Sequence, residues 1–331
     1  MKLTFFLIAF FLVLLRVCIS WGSHGRNNSN EGNFTMTGDN FIEQINWSGK
    51  IRLSDDEKSI AGISPGGYVR FRENDIKLSA ESNLQGVISY TLFDGHASLS
   101  LDDSGRRFVS AVLQQMIAWG FQADDRPERI FKKGGNRALL EEIRRIKLDR
   151  TKRPYFDLLF KSDSLQTSEL AEMITLIDTS GSDIDKQEIL SRFTASQLRD
   201  STLAQSWLGA VSHLGPDFEK QNLLTSFMRK GPVAGSTYDS LLSVIGHMGA
   251  DFEKQDLYKK LLGDSLTTDR QWIGLISRTA GLGADFIKVD MLVAIAKKMP
   301  EGQAVKDAYL EAAKTIGGDA EYGRVMRALN K

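Results

Sequence analysis

The chain has few side chains of the types that perform catalysis or bind metals. It carries one cysteine, Cys18, and four histidines, of which His213 and His247 lie 34 residues apart at equivalent positions of a repeated pattern. Neighbouring helices pack about 8–10 Å apart, so these two imidazoles could share a metal ion only by reorienting. No third ligand recurs at that position, where the adjacent repeats have Thr179 and Gly281. We therefore predict that the protein is not an enzyme and has no metal site and no cofactor.

Aspartate is the chemically active residue type with the most regular spacing. Six aspartates lie 34 residues apart, most of them after a short turn rich in Gly, Ser or Ala. An acid at the start of a helix accepts hydrogen bonds from free backbone N–H groups and faces the positive end of the helix dipole. We predict that each one caps the second helix of a helical hairpin, although the aspartates and the lysines that follow them could also form a ligand-binding stripe. The six predicted caps are Asp149, Asp183, Asp217, Asp251, Asp285 and Asp319.

The residues around these aspartates keep the same 34-residue phase. An apolar pair precedes each aspartate by ten and nine positions, and a second apolar pair follows it by six and seven. In the three central repeats the next residue is Phe218, Phe252 or Phe286. One helical hairpin cannot bury its own apolar face, so the pattern predicts stacked hairpins, an α-solenoid, over residues 126–331. Tetratricopeptide repeats have the same length, but their residue pattern is absent.

Upstream of the repeats the hydrophobic period changes from helical spacing to alternation. Segments between residues 41 and 101 alternate apolar and polar residues and are separated by turn signals, which predicts an antiparallel β-meander domain. Asp102 is expected to cap a connecting helix within residues 102–125. Residues 21–40 are rich in Asn, Gly and Ser and predict a flexible tether. The predicted fold class is therefore α+β, with a β-domain before the α-solenoid.

The first twenty residues have the pattern of a secretory signal peptide. Lys2 precedes an apolar run from Leu3 to Leu15, and small side chains precede Trp21. Arg16 lies close to the predicted cleavage position, so an uncleaved N-terminal anchor is the alternative. We expect an exported protein that is either periplasmic or tethered to the membrane on its extracytoplasmic side.

The charge balance argues against a nucleic-acid partner. The chain has 42 basic and 42 acidic residues, so it lacks the net positive charge typical of nucleic-acid binders. Positive charge is concentrated locally, since residues 126–153 contain eleven Lys or Arg and four Asp or Glu. This segment could contact anionic lipid headgroups or an acidic partner, or it could be a solvated helix face. The candidate contact patch consists of Arg137, Arg144, Arg145, Lys147, Arg150 and Lys152.

Two motifs resemble those of a bacterial extracytoplasmic family. The first is Trp-Ser-Gly-Lys-Ile-Arg-Leu-Ser-Asp-Asp-Glu at residues 47–57, followed by Ile-Ser-Pro-Gly-Gly-Tyr at 63–68; the second is Asp-Phe-Glu-Lys at 217–220. Both resemble the C-terminal accessory extension of some antirepressor-type zinc metallopeptidases, the group that contains the β-lactam sensor-transducers, and the resemblance covers about residues 45–331. The zinc-binding His-Glu-x-x-His motif is absent, and the sequence has no counterpart of that group's membrane helices. The resemblance therefore implies a fold and a location, but no peptidase activity.

These observations favour a non-catalytic scaffold that binds a protein partner through the surface of its repeats. The alternative is a small-molecule or envelope-stress sensor with a ligand between the β-domain and the first repeats. An unrecognised hydrolase would need a cleft with a clustered acid and base whose pKa values are perturbed.

Overall fold

The computed structural model describes residues 18–20, 31–38, 41–231, 233, 235–264 and 266–330. Contacts divide the chain into two compact units. We call residues 1–126 with 146–151 the sheet unit, and residues 127–145 with 152–331 the helical unit. An antiparallel sheet precedes a long series of helices, so the predicted α+β class is confirmed.

The sheet unit contains one seven-stranded sheet and a separate two-stranded hairpin. All strand pairs are antiparallel, and the larger sheet has the order β1-β2-β3-β6-β7-β8-β9, while β4 pairs with β5. Two-residue connections join β6 to β7 and β8 to β9, where Asn74 and Gly95 adopt the positive φ angles that such tight turns need. The strands are β1 Cys18–Ser20, β2 Glu31–Gly38, β3 Phe41–Ser48, β4 Ile51–Leu53, β5 Ile60–Ile63, β6 Tyr68–Glu73, β7 Ile76–Ser82, β8 Ile88–Asp94 and β9 Ala97–Leu99.

One helix, α1 (Asp103–Ala118), covers the inner face of this sheet. It begins as the sequence predicts, since the Asp102 carboxylate accepts hydrogen bonds from the N–H groups of Ser104 at 2.9 Å and Gly105 at 3.0 Å. Apolar residues at helical spacing on α1 pack against alternate residues of the strands. The buried core includes Ile45, Val69, Phe71, Leu78, Ala80 and Leu92 from the sheet with Val109, Val112, Leu113 and Met116 from the helix.

The Ile-Ser-Pro-Gly-Gly-Tyr motif forms the turn between β5 and β6. Gly66 has a φ of +77°, which a side chain rarely tolerates. A Cβ on Gly67 would lie 2.6 Å from the carbonyl oxygen of Ser48, so the backbones approach too closely for any side chain. Ser64 also accepts a hydrogen bond from the N–H of Lys50 at 3.0 Å. Turn geometry therefore accounts for the motif without a ligand.

The structure differs from the predicted tether and connecting helix. Residues 31–38, assigned to the tether from their composition, form β2 and pair along their length with β3. The connecting helix α1 is part of the core of the sheet unit, and residues 146–151 also belong to that unit. Of the predicted leader, Cys18–Ser20 pairs with β2, and residues 1–17 lie outside the described part of the chain.

The helical unit places its helices in two rows. From α4 onward, even-numbered helices contact the next even-numbered helix, and odd-numbered helices from α3 contact the next odd-numbered helix. In α2, Gly134 and Gly135 have non-helical backbone angles that interrupt the helix. The helices are α2 Arg126–Arg145, α3 Arg153–Lys161, α4 Thr167–Asp178, α5 Asp183–Ser191, α6 Ser201–Ser212, α7 Asp217–Arg229, α8 Gly235–Gly246, α9 Asp251–Asp264, α10 Asp269–Ala280, α11 Asp285–Ala296, α12 Gln303–Ala313 and α13 Asp319–Leu329.

The phased apolar pairs form the core of this unit. Both members of the pairs at 173–174, 207–208, 241–242 and 275–276 are buried, as are the pairs at 189–190, 223–224 and 291–292. Trp207 and Trp272 are also buried, and the indole N–H of Trp207 donates to the carbonyl oxygen of Leu190 at 3.0 Å. Across the described ranges, no helix is both long and apolar enough to cross a bilayer.

Candidate functional site

Four of the phased aspartates do not cap their own helices, so the prediction is corrected for Asp183, Asp217, Asp285 and Asp319. Asp217 is already the first helical residue of α7, and the cap position belongs to Pro216, which makes no side-chain cap. Ala284 and Gly318 likewise precede Asp285 and Asp319 at the starts of α11 and α13. Asp183 follows the capping residue Ser182, Asp251 is the first residue of α9, and Asp149 begins a 3₁₀ turn at Asp149–Lys152.

Four of these carboxylates instead bind the backbone of the following repeat. The donors are N–H groups 32 or 33 residues downstream, in the turn that precedes the next odd-numbered helix. Each carboxylate therefore ties one turn to the next. Asp183 accepts from Gly215 at 3.0 Å, Asp217 from Gly249 at 2.6 Å and Ala250 at 2.8 Å, Asp251 from Gly283 at 2.7 Å and Ala284 at 3.1 Å, and Asp285 from Gly317 at 2.9 Å.

The phased lysines complete this arrangement. The Lys220 ammonium lies 3.3 Å from the second carboxylate oxygen of Asp217, and Lys254 and Lys288 repeat the contact at 3.5 and 3.3 Å. Burial opposes the ionisation of Asp217, but the N–H groups of Ala250 and Gly249 together with Lys220 outweigh it and lower its pKa. The N–H of Gly317 and the ammonium of Lys288 likewise lower the pKa of Asp285. The aspartates and lysines of the predicted ligand-binding stripe therefore bind other groups of the chain itself.

Steric crowding explains why a glycine donates to each of these carboxylates. None of Gly215, Gly249, Gly283 and Gly317 has a positive φ, so they are not left-handed helix ends. A Cβ at Gly215 or Gly283 would lie 3.0 Å from the carboxylate oxygen of the preceding repeat. A side chain at either position would crowd that carboxylate and force it to shift by a few tenths of an ångström.

The basic residues of 126–153 are largely engaged by acids and are divided between the two units. Arg137 and Arg144 both pair with Glu172, at 3.0 and 2.6 Å, and Arg145 lies 3.7 Å from Glu142. In the sheet unit, the Lys147 ammonium lies 5.2 Å from the centre of the Trp119 ring, and Arg150 is also assigned to this unit. Lys152 belongs to the helical unit and also makes contacts. The acids reduce the charge of this segment, and the predicted contact patch remains a prediction.

The two phased histidines have different surroundings. Nδ1 of His213 lies 2.9 Å from both carboxylate oxygens of Asp178, whereas Nδ1 of His247 lies 2.7 Å from the carbonyl oxygen of Ser243. Within the described residues, no group of three or more His, Cys, Asp or Glu side chains is placed to hold a metal ion.

A buried glutamate, Glu43, and a partly buried one, Glu73, form a pair in the sheet unit. Glu43 and Glu73 are directly opposite each other on β3 and β6, and the amide of Gln115 donates to Glu73 at 2.9 Å. The pKa of Glu43 is raised to about 7, mainly by burial and secondly by the negative charge of Glu73. The positive charge of Lys147 and the hydrogen bond from Gln115 lower it by a smaller amount. Glu43 is only 1% exposed and lies against α1, so this perturbed acid is placed in a core and not in a cleft.

An exposed apolar stripe is the feature that sequence reasoning missed. The residue after the phased aspartate is exposed in four consecutive repeats: Ile184 by 70%, Phe218 by 65%, Phe252 by 66% and Phe286 by 59%. The rings of Phe252 and Phe286 have centroids 6.1 Å apart. We call these four residues the apolar ladder. An exposed apolar patch often marks a binding surface, and the contact between Phe252 and Phe286 joins two of these residues in one patch.

The described residues of the two units line cavities that include the following two. One, of about 350 Å³, lies among α8, α9 and α10 and is lined by Asp239, Leu242, Gly246, Lys254, Tyr258, Gly274, Ser277, Arg278 and Gly281. The other, of about 390 Å³, is a depression on the outer sheet face, where Arg72 and Lys77 are directly opposite each other and Arg70 pairs with Glu81 at 2.7 Å.

No protein-family model matches the chain, and neither a curated protein nor a solved structure gives a match. The resemblance to the accessory extension of antirepressor-type metallopeptidases therefore remains a prediction from the two sequence motifs.

Proposed function

We propose that this protein is an exported, non-catalytic scaffold of the bacterial cell envelope. Its helical unit would be an α-solenoid of 34-residue helical hairpins, and its partner would be another protein. The two rows of helices and the turn-to-turn carboxylate bonds support the repeat architecture. Such arrays present a long lateral surface and use it for binding.

The apolar ladder is the observation that carries this proposal. Fully burying a Phe or Ile side chain stabilises a complex by about 1.5–3 kcal/mol, and the four ladder residues are each more than half exposed. A partner that covered them would gain on the order of 4–8 kcal/mol before the entropic cost of association. That gain offsets much of the cost of association, about 4–15 kcal/mol, so contacts beside the ladder would have to supply the remaining affinity.

The residues beside the ladder indicate the chemistry of the partner. Asp185, Glu219 and Glu253 directly follow three of the four ladder residues, so carboxylates flank the apolar stripe. Complementary charge favours correct docking and faster association. We expect a polypeptide segment that presents a row of apolar side chains interspersed with Lys or Arg.

A pull-down with matched variants tests this function. The chain from residue 21, its F218S/F252S/F286S variant and an L84S/V87S control would each be immobilised and exposed to the envelope fraction of the source cells. Leu84 and Val87 are 81% and 63% exposed but belong to the sheet unit, so the control removes comparable apolar surface elsewhere. Exposed substitutions typically change stability by less than about 0.5 kcal/mol, which circular dichroism and thermal unfolding would check.

We expect proteins enriched by the unsubstituted chain and by the control to be lost with the triple variant. A photo-crosslinking residue at position 252 should then join the chain to the same protein. Equal capture by the triple variant would refute the ladder as the docking surface. The second candidate function is a small-molecule or envelope-stress sensor; the site predicted for it, between the β-domain and the first repeats, coincides with neither cavity described above.

A further inference from the structure

The cavity among α8, α9 and α10 lies where one repeat departs from the others in its chemistry. Arg278 occupies a position that is apolar and buried in the three preceding repeats and the following one. Tyr258 occupies a position where the other repeats have an apolar residue without a hydroxyl. The residues equivalent to Arg278 are Leu176, Ala210, Val244 and Ala312, and those equivalent to Tyr258 are Phe156, Leu190, Leu224, Leu292 and Met326.

Arg278 is a cation without a counter-ion in the described part of the chain. Its side chain lies against α8, where a Cβ on Gly246 would be 3.0 Å from its Nη1 atom. No hydrogen bond or ion pair joins its guanidinium to another described residue. Arg278 is itself exposed and lines the cavity, so its guanidinium is solvated and available to a ligand there.

Tyr258 adds a hydroxyl group that makes no hydrogen bond with another described residue. The side chain is 1% exposed, and burial raises its pKa to about 12. The other two buried tyrosines of α8 and α12 donate to backbone carbonyls, Tyr238 to Gln271 at 3.0 Å and Tyr309 to Val325 at 3.2 Å. Tyr258 lines the cavity, so its hydroxyl group is available to a ligand there.

The charges around the cavity indicate how much negative charge a ligand should carry. Lys254 lies 3.5 Å from Asp251, and Asp239 lies 2.6 Å from Arg270, so these charges are compensated. Arg278 leaves one positive charge, which suits a monoanion. The fork of a guanidinium matches a carboxylate through two parallel hydrogen bonds. Asp239 offers acceptor oxygens, which favours a ligand that also has a donor group.

We propose that this cavity binds a small carboxylic acid that also carries a hydroxyl or ammonium group. The carboxylate would bind Arg278 and the hydroxyl of Tyr258, and the donor group would face Asp239. Gly246 and Gly274 line the cavity, and neither carries a side chain that would occupy it. A volume of about 350 Å³ falls within the range of small-molecule sites. This site does not depend on the apolar ladder.

Ligand-observed NMR with lactate and glycine as probes tests the proposal. Probes of this size should bind with a Kd on the order of 1 mM. Arg278→Ala should weaken binding at least tenfold, and Tyr258→Phe several-fold. Arg278→Ala installs the residue that two other repeats carry at this position, Ala210 and Ala312, so the helical unit should stay folded. Arg324→Ala, an exposed arginine on α13, is the matched control and should leave binding unchanged.

Gly274→Ala gives a second variant that changes no polar group. The added methyl group would lie 3.0 Å from Cδ1 of Leu242, which also lines the cavity, so it should change the shape of the site and weaken binding. Absence of saturable binding of both probes to the folded chain at about 20 mM, some twenty times the expected Kd, would overturn the proposal. Unchanged binding in Arg278→Ala would do the same, and tighter binding of inorganic phosphate at the same arginine would overturn the assignment to carboxylates.

Discussion

Arg126 is a buried charged residue whose partner is defined in the structure. Its guanidinium is 2% exposed and donates two hydrogen bonds to the carboxylate of Glu57, at 3.0 and 2.7 Å. Glu57 itself has a positive φ of 57°, and its carbonyl oxygen accepts from Gln114 at 3.0 Å. The pair therefore holds a strained turn of the sheet unit against α1.

We predict that Arg126→Met destabilises the sheet unit by about 3 kcal/mol, because it leaves the Glu57 carboxylate partly buried without its cation. Urea unfolding followed by tryptophan fluorescence would measure the change. Arg106→Met removes an exposed pair with Asp103 and should cost less than about 1 kcal/mol. Equal effects of the two substitutions would contradict the structural role of Arg126.

Glu43 makes the stability of the sheet unit dependent on pH. Its pKa is raised from 4.5 to about 7, so the folded state binds the proton more tightly than the unfolded chain. Stability should therefore fall as pH rises from 4.5 to 7 and stay level above that range. We predict that Glu43→Gln raises the melting temperature by several degrees at about pH 8 and has a smaller effect at about pH 5. The prediction would be contradicted if the difference in melting temperature between Glu43→Gln and the parent chain were the same at both pH values.

At the scale of elements, the bonds from each aspartate carboxylate to the next turn both stabilise the helical unit and fix the register of one turn against the next. Each link joins the start of one odd-numbered helix to the turn before the next, through N–H groups that lack partners inside the helix. A charged acceptor makes such hydrogen bonds stronger than neutral ones. The links should therefore contribute to the packing of neighbouring hairpins, in addition to the apolar core.

We predict that Asp217→Asn destabilises the helical unit by about 1–2 kcal/mol at pH 7, because Lys220 loses its counter-ion and the N–H groups lose a charged acceptor. The lowered pKa of Asp217 means that its stabilisation is present above its ordinary value of 3.8 and is lost as pH falls through the lower folded value. Urea unfolding should thus show little difference between variant and parent chain near pH 2. Asp290→Asn, an exposed aspartate of α11, is the control.

The helices and strands differ in how well the sequence alone could predict them. The 34-residue period indicated the helices of the repeats and their buried apolar pairs, because helical spacing is a local property. The true partner of each aspartate could not be predicted locally, since it lies 32 residues away in another hairpin. Strand β2 was missed because its Asn, Gly and Thr content is typical of a linker, and its pairing with β3 determines its conformation.

The candidate sites could have been predicted further than they were. On a helix, the residue after the aspartate lies on the side opposite the apolar pairs six and seven residues after that aspartate, so the exposure of Phe218, Phe252 and Phe286 follows from the spacing. Aligning the repeats would also have distinguished Arg278 from the apolar residues at its equivalent positions. The cavity itself could not have been found, because it depends on which helices meet.

At the scale of the whole molecule, the prediction of export concerns how the chain is processed. We predict that cells release a mature chain that begins at Trp21, and that it fractionates outside the cytoplasm. N-terminal sequencing of the purified protein and fractionation against cytoplasmic and periplasmic markers would check this. An intact N-terminus in the membrane fraction would indicate the anchor alternative, and recovery with the cytoplasmic marker would contradict export.

The bonds from each carboxylate to the following turn have a genetic consequence. Their donors are main-chain N–H groups, which every residue except proline provides, and the offset of 32 residues is the same at each link. Removing or duplicating one stretch of 102 base pairs, from one aspartate codon to the next, would leave every remaining link with a donor in place. Recombination could therefore add or remove whole repeats without requiring any new contact between turns.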